Sequence, residues 1–135
     1  MTTSEVRVKD PKTGGEKGQK IERYDLIPPD AMDEVAAVYG RGAGKYSDRN
    51  WEKGYKWGLS IGALERHVAE FKKGLTRDEL GNHHLACVVF HALGLMTYQK
   101  FKLGTDDRSK IKLFAKMPNC YPYVQGEEDH GDWGV

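Results

Sequence analysis

GNHHLACVVFHALGLMTYQK, residues 81–100, decides the fold. From Leu85 to Tyr98 it is apolar on most faces. Val88, Val89 and Phe90 alone would suit a strand, but the length of the run predicts a helix from near Asn82 to about Lys102. A helix without a polar face belongs at the centre of a protein, so other elements must surround it. It also carries His83, His84, Cys87 and His91, groups able to bind metal or protons, inside a stretch otherwise built for burial.

Working outward, LSIGALERHVAEFKKG (59–74) predicts a second helix, with Ser60 as its cap, Ile61, Leu64, Val68 and Phe71 as its apolar stripe, and Gly74 as its stop. Thr76 to Glu79 has the spacing of a capping box, but Gly81 follows so closely that only a turn is expected before the central helix. DLIPPDAMDEVAAVYGRGAGKY (25–46) predicts a third helix. Pro28 and Pro29 suit its entry, Asp30, Asp33 and Glu34 suit its N-terminus, and Met32, Val35, Ala36 and Tyr39 share one face. About three turns are expected, ended by Gly40 and Gly42. Residues 45–58 form a long connection rich in aromatics, the kind of loop that often carries function. Residues 1–27 read as a loop or arm. After Gly104 come a polar turn, the short segment IKLFAKM and an irregular tail that can pack on a neighbouring subunit. The sum is a single all-α domain, a small helical bundle of three main helices with long functional loops. Three helices are too few to bury the central one, so completion by oligomerisation, a dimer or tetramer, is expected.

Composition narrows the function. The 135 residues fit one domain. Lys and Arg total 21 against 20 Asp and Glu, so no broad field draws duplex nucleic acid or a membrane surface. No stretch approaches the roughly 20 apolar residues of a membrane span, and the N-terminus has no signal-peptide core. A soluble, cytoplasmic protein is expected. Cys87 and Cys120 read as free thiols.

Three constellations carry chemistry. His83 or His84 with Cys87 and His91 lie along one helix face and could offer Zn²⁺ three ligands; the alternative is a set of packed, hydrogen-bonded core groups. Arg66, His67 and Glu70 fall within one turn, and the following loop returns Glu79 and His84 toward them. Such acids and imidazoles could hold a divalent cation, or form a solvated charged face. TGGEKGQK (13–20) and GRGAGKYSDRNWEKG (40–54) suit anion binding, with Lys17, Lys20, Lys45 and Arg49 supplying charge and Tyr46 and Trp51 able to stack a base. Neither is a Walker A loop. The chain has no His-Asp dipeptide, G-x-S-x-G elbow or H-E-x-x-H, which leaves metal-assisted hydrolysis of a phosphate ligand.

The order TGGEKGQK, RYDLIPPDAM, GAGKYSDRNWEKG, ALERHVAEF and HHLA resembles the phage-encoded dATP/dGTP diphosphohydrolase family, often described as MazG-like, over roughly residues 12–100. The resemblance implies a catalytic helical core over 12–103 and a C-terminal extension over 104–135. It also implies an Mg²⁺- or Mn²⁺-dependent enzyme that cleaves a deoxynucleoside triphosphate, dATP or dGTP, to the monophosphate and pyrophosphate, controlling the nucleotide pool of the phage-infected host cytoplasm. By position, Lys20, Lys45, Tyr46, Arg49, Asn50 and Trp51 match the family's loops and join Lys17 as expected substrate-binding residues. Arg66, His67, Glu79 and His84 match its helical motif. Glu79, His84 and Arg66 are then the expected catalytic residues, and His67, Glu70, Glu79 and His84 the expected metal set. Leu75, Cys87 and His91 depart from the family pattern. The departures at Leu75 and Cys87 motivate one alternative, a non-catalytic nucleotide- or protein-binding module; His83, His84, Cys87 and His91 motivate another, a small zinc-stabilised interaction protein.

Overall fold

The computed structural model describes residues 5–110. The IKLFAKM segment, Cys120 and the tail lie outside the described residues.

The first 27 residues are not all loop. Strands β1 (Glu5–Lys9) and β2 (Glu16–Lys20) pair antiparallel, from Glu5 opposite Lys20 to Lys9 opposite Glu16. Both strands are almost wholly exposed, so no apolar alternation marks them in the sequence. The signal lies in the turn between. Asp10 Oδ1 accepts the backbone N–H groups of Lys12 (2.8 Å) and Thr13 (2.9 Å), which closes the loop and holds its carboxyl below the usual range. The fold is therefore the expected, mostly helical bundle of three main helices, with a small hairpin added to it.

Helix α1 spans Pro29–Lys45 and runs straight through Gly40 and Gly42, which were expected to end it. Each glycine costs about 1 kcal/mol in a helix interior. Packing of Val35 and Val38 against Ala86 and Cys87, flanked by Tyr39 and Phe90, offsets that local preference. Helix α2 spans Trp57–Lys72 and α3 His84–Phe101. Both α1 and α2 pack on α3, which is central as its composition requires.

Ser60 is not a cap: α2 begins three residues earlier, and Ser60 is buried within its first turn. Gly74, at φ +94°, ends α2 as expected. Thr76–Glu79 forms no capping box; its chain makes a single bridge between Arg77 and His83, and the Thr76 carbonyl accepts the His84 N–H at 2.9 Å. A second clasp joins the start of α2 to the chain after α3. Trp57 N–H donates to the Thr105 carbonyl (3.0 Å) and the Trp57 indole to that of Leu103 (2.9 Å). Gly104 (φ +68°) allows this approach, since a Cβ there would run into the Tyr55 backbone.

The expected stripe on α2 is incompletely covered: Val68 and Phe71 are exposed, as are Leu85, Val89, Leu93 and Met96 along one side of α3. No helix among the described residues is long and apolar enough to cross a membrane.

Candidate functional site

The connection between α1 and α2 folds back over α3. Its aromatic residues follow the chain's exit from α1, where Arg49 takes a left-handed conformation (φ 58°) and Asn50–Lys53 coil into one 3-10 turn. That turn drops Trp51 beside Tyr39 of α1, ring centroids 6.2 Å apart, while Tyr39 meets Phe90 of α3 edge-on at 4.7 Å. Trp51 is fixed from behind: fully buried Tyr98 donates its hydroxyl to the Trp51 carbonyl at 2.5 Å. Burial raises the Tyr98 phenol well above its ordinary pKa, so it stays a donor.

These rings wall one side of a cleft of about 930 Å³, within the range of small-molecule sites. Lys45, Tyr46, Arg49, Asn50 and Trp51, all named from the sequence, line it together. At its other end lie His67 from α2, Cys87 and His91 from α3, and Asp78 and Asn82 from the loop between those helices. Lys17 and Lys20 are not in the lining; they sit on the hairpin, where the Lys17 ammonium donates to the Gly18 carbonyl at 3.1 Å.

The polar end is a set of packed imidazoles. His67 and His84 face each other Nδ1 to Nδ1 at 2.8 Å, so one must donate and the other accept. His84 is buried behind His67, and His67 faces the cleft. Burial, then the neighbouring His84 and Arg66, lower the His67 pKa. His91 stacks on His67, with centroids 6.2 Å apart, and its Nδ1 lies 3.1 Å from Ser60 Oγ, which also contacts the Tyr55 hydroxyl at 2.6 Å. Burial pushes His91 down to about 4, so it is neutral at ordinary pH. Burial raises Cys87 to about 11, with Asp78 adding to the effect, so it is a thiol and not a ligand-ready thiolate.

The expected metal sets do not assemble. Mg²⁺ calls for a near-octahedral shell of oxygens. Here the Nδ1 atoms of His67 and His84 are turned on each other, Glu70 is ion-paired with Lys73 at 3.2 Å, and Glu79 is exposed outside the cleft lining. Among the described residues no three His, Cys, Asp or Glu side chains converge to hold a metal ion. These residues of one chain do not fit a resident Mg²⁺. The zinc arrangement fails for the same reason, since His83 instead caps α3 by accepting the Leu85 N–H (3.0 Å). Of the residues expected to be catalytic, exposed Arg66 and Glu79 act on the imidazoles only through their charge, and His84 touches the cleft only through His67.

The sequence reading missed Asp78 and Asn82. Asp78 Oδ1 accepts the N–H groups of Leu80 and Asn82, each at 2.9 Å, and Oδ2 accepts the Asn82 amide at 3.3 Å. The D-E-L-G-N sequence with Gly81 at φ +86° is a legible turn signature, but its placement in the cleft is not.

A family model described as dATP/dGTP diphosphohydrolase, N-terminal, matches residues 11–108. A dATP/dGTP diphosphohydrolase of Salmonella phage PMBT28 is 34% identical over 84 residues, covering 62% of this chain and 29% of that protein. The chain thus corresponds to less than a third of that relative's length. No solved structure matches it.

Proposed function

This chain belongs to the family of dATP/dGTP diphosphohydrolase N-terminal domains, and we propose that it takes a purine deoxynucleoside triphosphate in the aromatic cleft and hydrolyses it between the α and β phosphates. The observation that carries this reading is one cleft with an aromatic wall (Tyr39, Trp51, Phe90), cations at its rim (Lys45, Arg49) and a neutral imidazole at its polar end. The base lies against the rings, where a π-face is recognised whatever its hydrogen-bond pattern, and the triphosphate lies toward the cations.

Water is the nucleophile. Its oxygen bonds to a phosphorus atom as the bridging bond between the α and β phosphates breaks, giving the monophosphate and pyrophosphate. His67 is the group placed to take the water's proton, because its depressed pKa leaves it unprotonated at neutral pH and it borders the cleft. His84 fixes its orientation through the Nδ1 contact. This reassigns the roles of Glu79 and Arg66, which shape the local potential from outside the cleft. Mg²⁺ or Mn²⁺ enters as the counter-ion that the triphosphate substrate brings with it.

In a phage-infected cytoplasm the reaction would drain dATP and dGTP from the nucleotide pool. A homo-oligomer, dimer or tetramer, is part of the proposal, supported by the exposed apolar side of α3. A second reading, a nucleotide-binding module without turnover, is favoured by the lack of converging metal donors among the described residues. One experiment separates them. The full chain is incubated with each dNTP and NTP, with Mg²⁺, with Mn²⁺ and with EDTA, and the products are resolved by chromatography. Monophosphate plus pyrophosphate from dATP or dGTP supports the hydrolase; binding without products supports the module.

A further inference from the structure

We infer that Arg41, held by the loop Asp78–Asn82, is the anchor for the polyphosphate chain of the ligand. Arg41 lies on α1 where it borders two clefts, the aromatic one and a shallower neighbour of about 620 Å³ edged by Asp30, Asp33, Glu34, Arg77 and Gly81. It therefore stands on the saddle between them.

What separates Arg41 from the other cations nearby is its partner. Arg49 is paired with Glu52 at 2.8 Å, Arg77 with both oxygens of Glu34 at 2.7 and 3.0 Å, and Lys73 with Glu70 at 3.2 Å. Lys45 rests 5.2 Å from the centre of the Tyr46 ring. Arg41 instead donates from Nη1 to the side-chain oxygen of Asn82 at 2.7 Å, and among the described residues it has no carboxylate in ion-pair contact. A neutral acceptor fixes the guanidinium without cancelling its charge. One of its five N–H groups is spent, and the remaining donors form the planar fork that matches phosphate oxygens.

The acceptor is itself locked. Asn82 is only 7% exposed, and its amide nitrogen faces Asp78 Oδ2 at 3.3 Å, which obliges its oxygen to face Arg41. Its backbone N–H donates to Asp78 Oδ1 and its carbonyl accepts the Asp78 N–H, both at 2.9 Å. The Asp78 carboxylate does not compete for the guanidinium, because its oxygens already accept N–H groups from Leu80 and Asn82. Buried Asn82 thus holds the exposed Arg41 guanidinium in place at the cleft's edge with no carboxylate bonded to it, although Glu34 lies near enough to feel its charge.

The inference rests on the nucleotide reading of the cleft, and its test keeps the two apart. Binding of three probes to the full chain is measured by titration calorimetry: inorganic tripolyphosphate, dATP and deoxyadenosine. Each is titrated into the wild-type protein, Arg41→Gln, which removes the charge while keeping a donor for Asn82, and Arg41→Lys, which keeps the charge without the fork. Circular dichroism confirms that each variant is folded. For Arg41→Gln, tripolyphosphate and dATP are expected to bind roughly 10- to 100-fold more weakly, and deoxyadenosine unchanged. For Arg41→Lys the loss is smaller. Arg41→Gln binding tripolyphosphate and dATP within twofold of wild type overturns the anchor alone. A wild-type protein that binds dATP but not tripolyphosphate also overturns the anchor, and one that binds none of the three overturns the nucleotide reading with it.

Discussion

Removing one oxygen from the centre of the protein tests how the aromatic wall is held. Tyr98→Phe keeps the ring, its edge-on contact with Tyr55 (5.5 Å between centroids) and its packing on Trp51 (6.3 Å). It deletes the hydroxyl that donates to the Trp51 carbonyl at 2.5 Å. Tyr98 is 0% exposed, so the lost bond is not replaced by bulk water from its side, and the Trp51 carbonyl is left without this partner. That carbonyl still accepts the Gly54 N–H at 3.1 Å, so the loss is that of one hydrogen bond, about 0.5–1.5 kcal/mol. Trp51 is itself only half-buried, which places the expected value in the lower half of that range. For a domain of this size the cost is a fall in Tm of roughly 2–5 °C. Trp51 borders the cleft and Tyr98 does not, so dATP affinity should also fall a few-fold through a residue that never touches the ligand. Thermal melts followed by circular dichroism give the first quantity and calorimetric titration the second. A variant that melts within 1 °C of wild type and binds dATP equally well would falsify the claim that this bond positions the wall.

Two further predictions concern titration. The part-buried His91 has its pKa lowered to about 4 from an ordinary 6.5, so between those values the unfolded chain binds a proton that the folded one refuses. Stability is then full above pH 6.5 and declines as pH falls toward 4, by on the order of 3 kcal/mol from this group; urea midpoints for wild type and His91→Gln at pH 7.5 and 5 should show a steeper acid loss in the wild type, and equal losses would remove His91 as the cause. Cys87, raised to about 11 by burial, should react with a disulfide reagent at pH 7.5 far more slowly in the folded protein than in urea, and equal rates would show that the α1–α3 core opens freely.

The three helices were legible because the signal that makes them is local. Apolar spacing in residues 29–45, 57–72 and 84–101, the prolines ahead of α1 and the positive φ demanded at Gly74 all act within a turn or two of chain. The central place of α3 also followed from composition, since a helix lacking a polar face must be covered. Where local preference and packing disagree, packing wins: Gly40 and Gly42 should end α1, but Val35, Val38 and Tyr39 already lie on α3 and hold the helix together through them. The hairpin was missed because its strands bury nothing and so leave no period to read.

Half of the cleft was legible in the same way, because Lys45 to Trp51 are neighbours in sequence as well as in space. The other half depends on contacts between distant residues. Arg41 meets Asn82 across 41 positions, Tyr98 meets Trp51 across 47, and His67 meets His84 across 17. No spacing rule reaches that far. It is the docking of α1 and α2 on α3 that decides which carboxylate enters the cleft. That geometry places Asp78 in its lining and leaves Glu79, one residue later, in solvent, because the turn closed by Asp78 points successive side chains in different directions. The sequence by itself determined the helices, the cation-rich aromatic loop and the family; the tertiary structure alone decided which distant residues meet at the cleft, because contacts such as Arg41 with Asn82 are a matter of a few ångströms between residues the chain keeps far apart.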